Sequence, residues 1–435
     1  MTSKDPALPS PPRWSDADQS RAAAALFPGG RSGVGAFDLR AFLLGIAMTV
    51  FALAPAIGAW AFLLNEQIYQ WSMVAAIVIA AWGPLTGRKY DPRFHWGVGA
   101  FVFFFFLMMV RMPSFDQEAW LAFFSVGLCL ALLLLSYSAD EVAVVRGILT
   151  AVLLIGTLTA LLVLFDPNYA FARTYGWNRE REAYLITSPT ISAAIGPAVL
   201  AARYTARPFL KPVLYLLAAF LLYSLANVLG RAALLSGVAC LFLAFTFSAN
   251  SHGHAKALAA IRGLALCLPL IPVGIILLSR NRYLWGRLQR MLDPANELDA
   301  GGRGYIWQSS VEFIEDNTLW GGGVTSIQDY IGVYPHNALL EGWGDLGVFG
   351  FVVILSFFAA FGFSLWSAML KGRSALAFAL HLVAFVFVLE AIKSGSLYLS
   401  RPMMIFTLLA LTLPCFRKEA IQTPHLAAAK SEPER

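Results

Sequence analysis

The chain has 435 residues, of which 58% are apolar and only 13% charged. Soluble chains run about 45–50% apolar and about 25% charged, so a soluble globular enzyme is excluded, together with disordered, collagen-like and disulfide-scaffold classes. At about 20 apolar residues per membrane helix, such a chain can supply roughly twelve spans. Its net charge of +6 reads first as topogenic charge, not as a footprint for nucleic acid.

Residues 1–36 are polar and proline-rich, with Pro6, Pro9, Pro11, Pro12 and Pro28. They lack the compact basic start and short apolar core of a signal peptide, and read as a disordered cytoplasmic tail. Apolar stretches then follow at 41–64, 69–83, 94–110, 119–137, 142–165, 186–202, 209–226, 231–249, 257–279, 343–369, 374–392 and 400–416. Nine fall in a block at 37–279 and three in a block at 343–416, and 417–435 is a second tail. An even count puts both termini on one side. With the termini in the cytoplasm, most of the 32 Lys and Arg lie inside and the short outer connections are nearly bare, as the positive-inside rule asks. The expected fold is all-α and polytopic, about twelve membrane helices with a large, partly helical outer loop at 280–342.

The four cysteines, Cys129, Cys240, Cys267 and Cys415, lie in or at the end of spans without CxxC spacing. They read as packing residues, so neither a disulfide nor a metal site is expected. Ionisable groups inside a membrane are costly and are functional candidates by default. The span centres hold almost none beyond His381, which reads as a hydrogen-bonded bundle residue. Arg231, Asp345, Glu390 and Lys393 sit near outer span ends instead. A transporter, which needs polar groups at the midplane, is therefore the weaker reading. The polar chemistry collects at the outer face, next to the longest connection, and long ordered connections are usually functional.

That connection opens with Arg280, Arg287 and Arg290 on one helical face, a basic strip suited to phosphates or to interfacial anchoring. Gly301-Gly302-Arg303-Gly304 follows. Trp307, Val311 and Ile314 then recur at steps of four and three, which predicts a helix with one packed face. Glycines at a helix start let backbone N–H groups approach an anion, and Arg303 adds a forked phosphate donor. After Gly321-Gly322-Gly323 comes Pro335-His336-Asn337-Ala338-Leu339-Leu340-Glu341. Proline favours a first helical turn, so His336 is expected near a helix N-terminus, where the dipole disfavours a charged imidazolium. The shorter outer loop, Arg173-Thr174-Tyr175-Gly176-Trp177-Asn178-Arg179, mixes aromatic faces with basic forks, for sugar or phosphate contact or for interfacial anchoring.

The run Gly302, Arg303, Trp307, the glycines 321–323 and His336-Asn337-Ala338-Leu339-Leu340 followed by Asp345-Leu346-Gly347-Val348-Phe349-Gly350 resemble the bacterial O-antigen ligase/polymerase superfamily. Leu229-Gly230-Arg231-Ala232-Ala233-Leu234-Leu235 is similar to the family's Ser-Arg element at a periplasmic span start, with glycine here in the serine's place. The resemblance implies a GT-C-like inner-membrane protein with cytoplasmic termini and a periplasmic active site. It implies a metal-independent, inverting glycosyltransferase without cofactor, moving a glycan from undecaprenyl pyrophosphate to an acceptor hydroxyl. In a ligase the acceptor is the lipid A-core; in an O-antigen or exopolysaccharide polymerase it is a second lipid-linked glycan. Catalysis then falls to His336, Arg303 and Arg231. Arg401, Arg173, Arg179, Trp307 and Asn337 are the further residues expected to contact pyrophosphate or glycan.

Overall fold

In the computed structural model, the described residues are 38–54, 56–57, 71–72, 74–79, 96–112, 117–136, 139–165, 180–228, 231–247, 303–370, 374–393, 396–398 and 400–412, with single positions at 261, 265 and 285. All of the regular structure among them is helical. The helices are α1 (Leu39–Ala52), α2 (Trp96–Val110), α3 (Gln117–Ser136), α4 (Glu141–Phe165), α5 (Glu180–Tyr204), α6 (Leu210–Val228), α7 (Arg231–Thr246), α8 (Arg303–Asp316), α9 (Ser326–Ile331), α10 (Ala338–Leu370), α11 (Ala375–Lys393) and α12 (Arg401–Thr412).

Ten of these match expected apolar stretches, because a run that is apolar on every side satisfies its backbone by forming a helix in a medium without water. Among the described residues α4, α10 and α11 are long and apolar enough to cross a membrane; α1, α2, α12 and segments of α3, α6 and α7 are apolar but shorter. Of the stretch expected at 69–83 the positions 71–72 and 74–79 are described and helical, whereas 257–279, both tails and the basic strip from Arg280 to Arg290 lie almost wholly outside the described residues. Apolar side chains also cover the outside of the bundle: Phe103, Phe106 and Met109 on α2, Leu216 on α6, and Leu355, Phe363 and Trp366 on α10 are exposed. A soluble surface does not carry patches of that extent; a lipid-facing one does.

Helix starts follow local chemistry. Asp38 accepts from the Ala41 amide at 3.0 Å and Asp140 from the Ala143 amide at 2.8 Å, each satisfying an otherwise orphaned N–H. α5 is the central helix, packed on α4, α6, α7 and α11, and its residues 187–202 are all buried. Small side chains make that possible. Ala193, Ala194, Gly196, Ala198, Ala201 and Ala202 let neighbouring backbones approach, as helix pairs in membranes require. The same holds where α1 crosses α4: a Cβ on Gly45 would meet the Val144 carbonyl and one on Gly147 the Phe42 carbonyl. His381 is fully buried on α11, with Nδ1 2.8 Å from the Ala377 carbonyl and Nε2 3.0 Å from Ser364 Oγ. It is the bundle residue the sequence indicates, and Cys129 and Cys240 are buried free thiols.

α10 departs most from its expected form. It starts at Ala338, ahead of the apolar run at 343, and breaks at Gly347, where φ is 68° and ψ −163°. A short helix, 338–346, therefore stands on a long one, 348–370. In an unbroken helix the Gly344 carbonyl would bond the Val348 amide and the Asp345 carbonyl the amide of residue 349. The break opens these groups, and the polypeptide before the helix takes them up. Gly322 N–H donates to the Gly344 carbonyl and Gly323 N–H to the Asp345 carbonyl, both at 2.9 Å, and Val348 N–H donates to the Thr318 carbonyl at 2.9 Å. The glycine turn 321–323 thus docks backbone to backbone into a broken helix.

Candidate functional site

The site is built on the short helix 338–346. Asn337 caps it: its side-chain oxygen accepts from the amides of Leu339 at 2.9 Å and Leu340 at 3.2 Å. His336 comes just before the cap in the left-handed conformation, φ 57°, half-buried, with its ring 4.2 Å from that of Tyr334. It does stand at a helix N-terminus. Pro335 is not the first helical residue, however. The cap is asparagine, and the proline occupies the turn that turns the chain into it.

α8 reaches this turn from the other side. Trp307 donates its indole N–H to the Pro335 carbonyl at 3.2 Å, which ties the helix beginning at Arg303 to the residue before His336. Arg303 is the first residue of α8, one turn before Trp307. The packed face of α8 differs from the expected stripe. Of that stripe Ile314 is buried, but Trp307 and Val311 are 40% and 46% exposed, and Ser309 and Ser310 are buried in their place. α8 packs against α10 and α9 through the 310/314 side, and Trp307 lies at the margin, where its N–H finds a carbonyl.

Two buried carboxyl groups, Glu341 and Asp345, stand one turn apart on the short helix. Asp345 Oδ2 accepts from the Thr325 amide at 3.0 Å and the Tyr398 hydroxyl at 2.8 Å. Its Oδ1 accepts from the Ile327 amide at 3.0 Å and lies 3.2 Å from Ser326 Oγ, whose proton it shares with the Gly323 carbonyl at 2.7 Å. Glu341 accepts from Ser396 Oγ at 2.7 Å and from the Leu397 amide at 2.5 Å. The Asp345 carboxyl therefore holds the start of α9 and the Glu341 carboxyl holds the connection between α11 and α12. Burial, then the facing carboxyls of Asp345 and Glu341, push the Tyr398 hydroxyl well above the usual tyrosine range and keep it a donor. Arg111, just past α2, closes the ring from outside: its guanidinium donates to the Gly321 carbonyl at 2.6 Å, and its own carbonyl accepts from Val324 at 3.1 Å.

Arg401 begins α12, three residues beyond Tyr398. Its Nε donates to Ser125 Oγ at 3.3 Å, and its guanidinium carbon lies 5.6 Å from the centre of the Phe51 ring. Arg231 is the first residue of α7. Arg173 and Arg179 lie outside the described residues. The structure thus gathers α8, Trp307, His336 and Asn337 at one place, and puts Arg401 on an element anchored to the same short helix. Glu341, Tyr398, Ser396 and Arg111 were not singled out for a role in the sequence. The one available signal was a pair of carboxyls four residues apart, entering an apolar run.

Residues 213–355 match a family model described as O-antigen ligase. The match runs from α6 into α10 and so takes in Arg231, α8, the glycine turn, His336 and both carboxyls. No curated protein matches the chain.

Proposed function

We propose that this chain, an O-antigen ligase family protein through residues 213–355 and a membrane enzyme of the ligase/polymerase type, joins a glycan carried on undecaprenyl pyrophosphate to an acceptor hydroxyl at the periplasmic face of the inner membrane. We read it as the ligase, with the lipid A-core as acceptor. The observation that carries this reading is the junction of α8 and the His336 turn through Trp307 and Pro335, at the margin of an apolar bundle.

Attack by the acceptor oxygen on the anomeric carbon forms the new glycosidic bond and breaks the bond to the pyrophosphate oxygen, with inversion. Pyrophosphate is already a good leaving group, so the requirements are to neutralise its developing charge and to orient the acceptor. Arginine forks do the first without a divalent ion. Arg303 and Arg231 take that part, with Arg401, Arg173 and Arg179 as supporting contacts. His336 takes the proton from the acceptor hydroxyl. Trp307 offers an exposed ring face to a sugar, and Asn337, with its oxygen committed to the helix cap, can contact glycan only through its amide nitrogen.

The test is a deletion strain complemented with wild-type or His336→Ala protein. A ligase deletion accumulates polymerised glycan on the lipid carrier, and only the wild type relieves it. Accumulation of single repeat units instead would make the enzyme a polymerase.

A further inference from the structure

We propose that Asp345, assisted by Glu341, is a positioning residue that sets where His336 stands relative to the 396–401 segment. The inference rests on the functional reading above, in which His336 acts on the acceptor.

The segment 324–337 that carries His336 is not a regular element. It turns through left-handed conformations at Thr325, Gly332 and His336, and its one helix, α9, has six residues. Such a segment has little stiffness of its own, so its position is set by what holds it: its two ends, the packing of α9 on α8 and α10, and the Trp307 bond to Pro335. The far end enters the short helix at Asn337. The near end is fixed by the Asp345 carboxyl, which accepts from the amides of both Thr325 and Ile327. One carboxyl on the short helix therefore closes the loop onto the same helix that the loop leads into.

The second link is on a shared atom. Asp345 Oδ2, which holds Thr325, also accepts the Tyr398 hydroxyl. Glu341, one turn earlier, holds Ser396 and Leu397. Tyr398 is itself wedged, with its ring 6.3 Å from Phe104 of α2. Three residues on, α12 begins with Arg401. The two carboxyls thus bind the His336 segment and the Arg401 segment to one rigid platform, and both are fully buried. Neither has a route to touch substrate, so the effect is through geometry. A displacement of about 1 Å in a reacting group costs on the order of 10²-fold in rate.

Asp345→Asn keeps the shape but turns one oxygen into a donor that faces donors. The experiment uses full-length protein in lipid nanodiscs. It compares kcat and KM for the lipid-linked donor, and amide hydrogen exchange across 321–337, in wild type, Asp345→Asn and Tyr398→Phe. Asp345→Asn is expected to lower kcat by roughly 10–100-fold, with KM little changed and exchange across 321–337 faster. Tyr398→Phe is expected to do the same to a smaller degree, and the double variant to be no worse than Asp345→Asn alone, because both act on one atom. If Asp345→Asn does not fold, Tyr398→Phe decides. Unchanged exchange across 321–337, or faster exchange with a wild-type kcat, overturns the proposal. If instead wild-type protein forms no glycosidic bond, the functional reading falls, and the exchange data alone still say whether Asp345 holds the segment.

Discussion

His336 is one of two described non-glycine residues with positive φ, Thr325 being the other. A non-glycine residue pays of order 1 kcal/mol or more for that conformation, and such strain concentrates at functional positions. Removing the imidazole by His336→Ala keeps the Cβ and so leaves the backbone strain in place, and is expected to lower transfer by about 10²–10⁴-fold, the usual contribution of a proton-accepting side chain; single-turnover rates with donor and acceptor together measure it. Arg303→Lys keeps the charge and loses the fork, so a severe loss of rate is expected with the protein still folded. Since arginines and not a cation are to neutralise the pyrophosphate, chelation by EDTA should leave the rate unchanged. At this scale the sequence was legible where residues form a motif: His336, Arg303 and Trp307 stand out by type and spacing. Tyr398 and Glu341 did not, because what makes them matter is burial against partners 53 and 56 residues away, and distance in sequence hides that.

The helices were legible because length and uniform apolarity settle them. The broken helix at Gly347 was not, since Asp345 and the glycines beside it read as the outer end of one continuous apolar run. Its cause is tertiary: the glycine turn supplies the hydrogen bonds that the break gives up. A Cβ on Gly321 would lie 2.3 Å from the Asp345 carbonyl oxygen, and one on Gly347 would lie 2.2 Å from that of Leu319, both at positive φ. Gly321→Ala or Gly347→Ala therefore combines backbone strain with a clash against main chain, and should cost well over 2 kcal/mol and abolish activity. Gly332, with φ 79° but open space around it, is the control. Its alanine variant should cost only the conformational term, about 1–2 kcal/mol. Thermal unfolding in detergent distinguishes the three. The amphipathic stripe of α8 was legible only in part for a related reason: periodicity found the helix and its buried Ile314, but Ser309 and Ser310 bury in place of the larger Trp307 and Val311.

For the whole molecule, composition and the sidedness of Lys and Arg set the expectation that the tails are cytoplasmic and the 303–337 region periplasmic. The apolar exterior of the described helices agrees with a membrane protein. With Cys267 and Cys415 replaced by serine, a cysteine introduced at the exposed Tyr330 should be labelled by an impermeant maleimide in intact cells with a permeabilised outer membrane, and one at Lys418 only after lysis; the buried Cys129 and Cys240 give little background. The reverse pattern would move the site to the cytoplasm and remove lipid-linked glycan as its substrate. The most direct measurement of the central claim is transfer by the purified protein in nanodiscs, supplied with undecaprenyl-pyrophosphate-linked glycan and lipid A-core and followed by mass spectrometry. The expected result is glycan covalently joined to lipid A-core, free undecaprenyl pyrophosphate in equal amount, inverted anomeric configuration, and no product with His336→Ala. Product formed equally by His336→Ala, or glycan-lipid moved across the bilayer without any new glycosidic bond, would contradict it.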